Sequence, residues 1–117
     1  MKIYAIDDEK HHLKIYEVSH GAIGFSTPGK LIDALCESKP DLLICDLMMP
    51  KVDGWTIISI ARQMYPELPI IIGTAMDDFV QKQCAEIRGC KFWSKGDLLK
   101  LRQMIEEVEQ CIKHTKK

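Results

Sequence analysis

The sequence contains little that would place this protein in a membrane or on nucleic acid. No hydrophobic run reaches the length of about 20 residues that a transmembrane helix needs, and the apolar residues 3–6 meet Asp7 too early for a secretory signal. The 16 Lys and Arg residues nearly balance the 17 Asp and Glu residues, so the net charge of −1 provides no broad positive field for phosphate backbones or anionic lipids. These absences predict a cytoplasmic protein that binds neither nucleic acid nor a membrane.

The sequence also lacks a disulfide framework and a zinc-binding motif. Its five cysteines are odd in number and include no C-x-x-C pair, so buried, reduced thiols are predicted. The histidines show no metal-ligand spacing with carboxylates and are predicted to be solvated. They are His11, His12, His20 and His114.

The hydrophobic pattern predicts one α/β domain over residues 1–117. This length suits a single core, and 46% hydrophobic with 28% charged residues is ordinary for a globular protein. Short apolar runs alternate with longer amphipathic segments, which indicates β-α units around an open parallel sheet rather than hairpins. The predicted strands are residues 3–6, 22–25, 41–46, 70–74 and 91–94. The first predicted helix ends at about Ser19, and the second begins after a cap at Ser26 or Thr27. The third runs from Trp55 to Met64, the fourth from a cap at Asp77 or Asp78 to Gly89, and the fifth from about Asp97 to His114.

Polar side chains stand at the carboxyl ends of four of these strands. Asp7 and Asp8 follow the first strand, Asp46 ends the third, Thr74 ends the fourth, and Lys95 follows the fifth. In open parallel sheets, ligands bind beyond the carboxyl ends of the strands. If the first, third and fourth strands are neighbours, three carboxylates and one hydroxyl converge there, and an edge strand adds one ammonium group.

Such a cluster predicts a magnesium site and phosphoryl transfer. Three close carboxylates repel one another unless a cation is bound, and Mg²⁺ prefers oxygen ligands in an open site where it keeps several waters. A carboxylate beside a metal, a lysine and a hydroxyl can attack phosphorus while the two cations neutralise the phosphoryl oxygens. Asp46 is the predicted nucleophile because its strand is the central one.

The chain resembles the receiver domains of bacterial two-component response regulators over essentially its whole length. The matching features are the pair Asp7-Asp8, the run Asp46-Leu47-Met48-Met49-Pro50 followed by Asp53-Gly54, the pair Thr74-Ala75, and Lys95. Each motif is weak alone, but four motifs in order at strand ends are specific together. The resemblance implies a flavodoxin-like (βα)5 fold with five parallel strands in the order 2-1-3-4-5 and five flanking helices.

The resemblance also implies a phosphoacceptor and a metal site. Asp46 would accept a phosphoryl group from a phosphohistidine on a sensor histidine kinase or a phosphotransfer protein. Asp8 and Asp46 would bind Mg²⁺ directly together with the backbone carbonyl of Met48, and Asp7 would contribute mainly through water. Mn²⁺ could substitute for Mg²⁺.

A switch and an output surface are implied by the same resemblance. Thr74 and Lys95 would each hold a phosphoryl oxygen, and Phe92 would be the aromatic residue whose rotamer reports phosphorylation. Output would pass through the fourth helix, fifth strand and fifth helix, at about residues 77–114, to a downstream protein or to an output domain outside this chain. A homodimer through the last helix is compatible with the family, without a specific signal in this sequence.

The sequence departs from the family at Gly96 and in the stretch between Asp8 and Asp46, which is shorter than usual by about two helical turns of ~3.6 residues each. Lys95 precedes Gly96 where the family usually has proline after a cis peptide bond, so a trans bond is predicted, because a non-proline cis bond costs roughly 2.5–4 kcal/mol. Met48 and Met76 stand where family members vary the residues that influence loss of the phosphoryl group. Because their side chains cannot position an attacking water, a long-lived phosphoaspartate is predicted.

Three other functions remain open from the sequence. A degenerate receiver would keep the fold and bind a partner without phosphorylation. A magnesium-dependent phosphohydrolase would also use an aspartyl nucleophile, but such enzymes usually place a second Asp where this chain has Met48, so turnover of an external substrate is not expected. Flavin or nucleotide binding is disfavoured because Asp7-Asp8-Glu9 would repel a phosphate after the first strand.

Overall fold

A computed structural model describes residues 1–75 and 79–115. Within these residues, five parallel strands form one sheet, and a two-stranded antiparallel hairpin lies beside it. The strands are β1 (Ile3–Ile6), β2 (Ile23–Phe25), β3 (Leu42–Asp46), β4 (Met48–Met49), β5 (Val52–Asp53), β6 (Ile70–Thr74) and β7 (Lys91–Ser94). The helices are α1 (Lys10–His20), α2 (Pro28–Glu37), α3 (Gly54–Met64), α4 (Phe79–Ile87) and α5 (Leu98–Thr115).

The strand order of the main sheet is β2-β1-β3-β6-β7. This is the order 2-1-3-4-5 that the resemblance implied, once the hairpin strands β4 and β5 are set apart from the count. β3 occupies the centre and pairs in parallel with β1 on one side and β6 on the other. All residues of β1, β3 and β6 are buried, which is why these segments read as continuous apolar runs rather than alternating ones.

Two hydrophobic clusters cover the two faces of the sheet. On one face, side chains such as Ile6 and Ile72 pack against α2, α3 and α4. On the other face, Ile44 and Trp93 pack against α1 and α5. The fold is therefore a three-layer α/β/α sandwich, confirming the predicted class.

The hairpin β4-β5 is a feature that the sequence reasoning missed. Met48 pairs with Asp53, and Met49 pairs with Val52, around a turn at residues 50–51. Only two residues on each side pair, too few to produce a visible alternation of apolar and polar side chains. The hairpin leads directly into α3. The Asp53 carboxylate caps this helix by accepting a hydrogen bond from the Trp55 N–H.

Most predicted element ends lie within a residue or two of the observed ones. Thr27 does precede α2, with Pro28 in its first turn, but the Thr27 side chain makes no capping hydrogen bond. α1 ends at Gly21, which has a φ of 66° in the left-handed region that favours glycine. The predicted caps Asp77 and Asp78 lie outside the described residues.

The prediction of buried thiols is partly wrong. All five cysteines are thiols without a disulfide; Cys45 and Cys90 are buried, but Cys36 and Cys111 are exposed. The two exposed cysteines lie on the outer surfaces of α2 and α5. None of the helices among the described residues is long and apolar enough to cross a lipid bilayer.

Candidate functional site

Asp7 and Asp46 lie side by side at the carboxyl edge of the sheet. Ile6 is in register with Cys45, so the residues that follow them, Asp7 and Asp46, come next to each other. Asp7 is fully shielded from solvent and Asp46 is only 3% exposed. Two buried carboxylates in neighbouring positions repel each other, so a cation at this edge would stabilise them.

The Lys95 ammonium group lies between these two carboxylates. Its Nζ is 2.7 Å from Asp7 Oδ2 and 3.3 Å from Asp46 Oδ2, and the side chain is 6% exposed. The backbone supports this direction, because the Lys95 N–H donates to the Thr74 carbonyl at the end of β6. Lys95 therefore points into the acidic edge although Gly96 follows it.

The predicted trans bond before Gly96 is confirmed, since no peptide bond among the described residues is cis. Gly96 instead turns the chain with a φ of 110°, a conformation that favours glycine. The turn is continued by Asp97, whose carboxylate accepts from the Lys100 N–H in the first turn of α5. A trans bond followed by a glycine turn thus directs Lys95 into the acidic edge.

Backbone and side-chain donors act on the Asp46 carboxylate from different sides. Asp46 Oδ1 accepts a hydrogen bond of 3.1 Å from the Met48 N–H, while Oδ2 faces Lys95. Burial raises the pKa of the Asp46 carboxyl above its ordinary value, and the nearby Asp7 carboxylate raises it further. The Met48 N–H and the Lys95 ammonium act in the opposite direction, because both stabilise the charged form.

The acidic edge contains a suitable set of oxygen ligands for Mg²⁺. One carboxylate oxygen from each of Asp7, Asp8 and Asp46 lies within 4.8 Å of the other two. Asp8 is exposed, so the cluster is open to solvent on one side. Hard oxygen ligands and room for water fit Mg²⁺, which keeps part of its hydration shell in proteins.

Thr74 and Phe92 lie close to this edge on neighbouring strands. Thr74 is 3% exposed at the end of β6, and Phe92 is half-buried on β7. Phe92 is in register with Ile72, and strand residues two apart share a face, so Phe92 and Thr74 point to the same side of the sheet. That side is the one covered by α4, whereas Trp93 points to the other face and packs against Tyr16.

The sequence reasoning missed His12 as a residue of the site. Its side chain is 21% exposed, and its Nδ1 lies 3.4 Å from Lys95 Nζ and 3.6 Å from Asp7 Oδ2. The prediction that His12 is solvated is therefore wrong. The periodicity of the first helix places His12 beside Leu13 and Tyr16, which face the core, but it does not indicate which residues of other segments His12 contacts.

Gly73 is a second residue that was missed. A Cβ at this position would lie 3.2 Å from the Trp93 ring and 3.6 Å from Lys95 Cε. Because glycine has no side chain, the Trp93 ring and the Lys95 aliphatic chain can both lie close to the β6 backbone. Nothing in a strand sequence of the form Ile-Ile-Ile-Gly-Thr reveals which side chains approach the glycine.

The three-layer fold and the acidic edge define a class of protein, the flavodoxin-like α/β domains with a cation-binding carboxylate cluster. Within this class the chain belongs to the response regulator receiver domains of two-component systems, because the model of that family matches residues 3–106. Receiver domains are phosphoacceptor switches that interact with histidine kinases or phosphotransfer proteins and with output domains.

Individual relatives are similar over part or most of the chain. The DNA-binding transcriptional regulator NtrC of Escherichia coli K12 is 30% identical over 81 residues, which cover 65% of this chain and 17% of NtrC. The match therefore spans less than a fifth of the curated relative. The BeF3-activated DrrB receiver domain superposes with a TM-score of 0.84 at 20% identity, covering 93% of this chain and 97% of DrrB.

A further structure is similar in fold at lower identity. The response regulator TrrA of Thermotoga maritima, in complex with Mg²⁺-BeF, has a TM-score of 0.78 at 15% identity. The alignment covers 92% of this chain and 97% of TrrA.

Proposed function

We propose that Asp46 is the phosphoacceptor and receives its phosphoryl group from a phosphohistidine on a sensor histidine kinase or phosphotransfer protein. The observation that carries this proposal is the position of its carboxylate. It lies buried at the end of the central strand, beside the Lys95 ammonium. One of its oxygens lies within 4.8 Å of a carboxylate oxygen of Asp7 and of Asp8. The other two carboxylates, Asp7 and Asp8, directly follow β1, which lies beside the central strand.

In the proposed reaction, one carboxylate oxygen of Asp46 attacks phosphorus. The P–N bond of the phosphohistidine breaks, and the departing imidazole nitrogen keeps the electron pair. Lys95 is placed to pair with a phosphoryl oxygen because its Nζ already lies 3.3 Å from Asp46 Oδ2. The Met48 N–H holds the other carboxylate oxygen in place.

Mg²⁺ would be held directly by Asp8, Asp46 and the Met48 carbonyl, with Asp7 contributing mainly through water, and Mn²⁺ could replace it. The ion would supply positive charge to the phosphoryl oxygens as they approach the carboxylates. The carboxylate cluster of this chain and the Mg²⁺-BeF reported for TrrA support this assignment. Lys95 would keep its contact with Asp7 while the ion neutralises the remaining charge.

We also propose that phosphorylation is read out through Thr74 and Phe92. Thr74 would turn its hydroxyl toward a phosphoryl oxygen, and Phe92, on the same side of the sheet, would move into the space that is released. The surface that changes would be formed by α4, β7 and α5. Its partner would be a downstream protein or an output domain outside this chain, in a cytoplasmic setting, and no turnover of an external substrate is expected.

Intact mass spectrometry after incubation with acetyl phosphate tests the proposal. One phosphoryl unit per chain is expected with Mg²⁺ and none without it. Asp46→Asn should abolish the adduct, whereas Asp33→Asn, which changes an exposed carboxylate on α2, should leave it unchanged. An adduct that persists in Asp46→Asn would contradict the assignment, and no adduct together with no Mg²⁺ binding would favour a phosphorylation-independent receiver.

A further inference from the structure

We propose that Glu9, His11 and His12 form a second metal site, which takes a transition-metal dication such as Zn²⁺. These residues lie at the start of α1, next to the acidic edge but separate from the cluster of Asp7, Asp8 and Asp46. The proposal does not depend on phosphorylation of Asp46, because none of its three ligands belongs to the carboxylate cluster and two of them are imidazoles.

The geometry of the three side chains carries the proposal. Glu9 Oε2 lies 3.2 Å from His11 Nε2 and 3.2 Å from His12 Nδ1, and the three ligand atoms all lie within 4.8 Å of one another. In a tetrahedral zinc site with bonds of about 2.0–2.1 Å, ligand atoms are separated by about 3.3 Å. Two edges of the cluster therefore already have the length that zinc coordination requires.

The identity of the ligands separates this site from the magnesium site. Two imidazole nitrogens and one carboxylate oxygen suit Zn²⁺, Cu²⁺ or Ni²⁺, whereas an all-carboxylate cluster suits Mg²⁺. Two His and one Glu with an open fourth position for water form a ligand set that zinc uses in proteins. In excess Mg²⁺, the all-carboxylate cluster should hold Mg²⁺ while the two imidazoles direct Zn²⁺ to the second site.

Exposure allows an ion to enter and water to complete its coordination. The His11 side chain is 71% exposed and the Glu9 side chain 50%, while His12 is 21% exposed and is held against the sheet edge. The two imidazole rings already lie together, with centroids 4.2 Å apart. Binding therefore needs small side-chain adjustments rather than a change of fold.

The contacts of His12 with the acidic edge are compatible with this ion. Coordination through Nδ1 would end its 3.4 Å contact with Lys95 Nζ, since the ring nitrogen has one lone pair. Lys95 would keep its shorter contacts with Asp7 and Asp46. Asp7 Oδ2, 3.6 Å from His12 Nδ1, is paired with the Lys95 ammonium, so the Lys95-Asp7 pair adds no net charge beside the metal.

Zinc titration against a chromophoric chelator, in excess Mg²⁺, tests the site. We expect one Zn²⁺ per chain, and a loss of affinity of more than about tenfold in His11→Gln and in Glu9→Gln. Changing only an outer-shell partner of a metal ligand already costs about 10–100-fold in affinity. Because both side chains are exposed, neither variant should disturb the fold, which circular dichroism would check.

Matched variants exclude other zinc ligands. His20→Gln and His114→Gln change histidines outside the cluster, and Cys36→Ser and Cys111→Ser remove the exposed thiols. All four should bind zinc as the original chain does, and so should Asp46→Asn, whether or not Asp46 is the phosphoacceptor. Co²⁺ should give visible absorption bands of a tetrahedral N/O site that disappear in His11→Gln.

Two results would overturn the proposal. One is the absence of stoichiometric zinc binding by the original chain. The other is binding that survives in Glu9→Gln and His11→Gln but is lost when Asp8 is changed to Asn, which would assign the ion to the acidic edge.

Discussion

Lys95 pairs with Asp7 across two intervening strands of the sheet, with 2.7 Å between Nζ and Oδ2. The lysine follows the edge strand β7 and the aspartate follows β1, so the pair spans β3 and β6 at their carboxyl ends. Both side chains are almost completely shielded from solvent. The lysine that would hold a phosphoryl oxygen thus also compensates the charge of the most deeply buried carboxylate.

Lys95→Met should destabilise the protein in the absence of divalent ions. It leaves Asp7 and Asp46 buried without a cation, and breaking a buried ion pair from one side typically costs about 3–5 kcal/mol. Urea unfolding in the presence of a chelator measures the loss. Lys91→Met is the control, because its pair with Glu107 is exposed and should contribute about 0–1 kcal/mol. Equal effects of the two substitutions would refute this account of Lys95.

Gly54→Ala should displace the backbone at Asp46. A Cβ at Gly54 would lie 2.6 Å from the Asp46 carbonyl oxygen and 2.8 Å from Leu47 Cα, both backbone atoms. The shift that relieves this contact should cost about 1–3 kcal/mol and lower the yield of phosphorylation. Thermal unfolding and intact mass check the two effects.

Gly29→Ala is the matched control for Gly54→Ala. Gly29 lies in the first turn of α2 with no atom within 4 Å of its Cβ position, so alanine should be accepted there without loss of stability. If Gly54→Ala were equally well tolerated, the close approach to the Asp46 backbone would not be a constraint.

The five thiols should react with iodoacetamide at different rates. Cys36 and Cys111 are exposed and should be modified first. Burial raises the pKa of the Cys45 thiol, with the Asp46 carboxylate raising it further, and burial also raises the pKa of Cys90. Fewer thiolates and restricted access should both protect these two residues.

Peptide mapping after timed alkylation measures this order. In denaturant all five cysteines should react at similar rates, which is the control for intrinsic reactivity. Rapid modification of Cys45 in the folded protein would show that the centre of the sheet opens more readily than its burial implies.

The phosphoaspartate should be long-lived. The Met48 side chain is 56% exposed beside the acidic edge and offers no group to orient an attacking water, while Met76 lies outside the described residues. Met48→Gln should shorten the half-life of the phosphorylated protein, followed by intact mass after removal of the phosphodonor. Met64→Gln, a change at another exposed methionine on α3, should leave the half-life unchanged. Rapid decay of the original phosphoprotein would disprove the prediction.

Much of the fold followed from local patterns. The bounds of β1, β6 and β7 agree with the predicted strands; β1 and β6 are short, mostly apolar runs, and β7 carries an adjacent aromatic pair. The hairpin of β4 and β5 was missed because two-residue strands carry no period. Its position beside the phosphoacceptor depends on the pairing of Met48 with Asp53.

The residues of the acidic edge could be named from the sequence because parallel strands place their carboxyl ends at one edge. A position at the end of a strand or directly after it was therefore enough to identify Asp7, Asp46, Thr74 and Lys95. The contact of Lys95 with Asp7 could not be derived in the same way, because it joins residues 88 positions apart. It depends on the path of the lysine side chain past Gly73.

The sequence by itself determined the five strands of the main sheet, their carboxyl-end side chains and the family, because these depend on hydrophobic runs and on residues directly following them. Only the tertiary structure decided where the first helix lies on the sheet. That packing, through Leu13 and Tyr16, brings His12 against Lys95 and turns Glu9 and His11 toward the same point. Side chains from separate segments meet only when the core fixes the helix, so no local pattern contains that information.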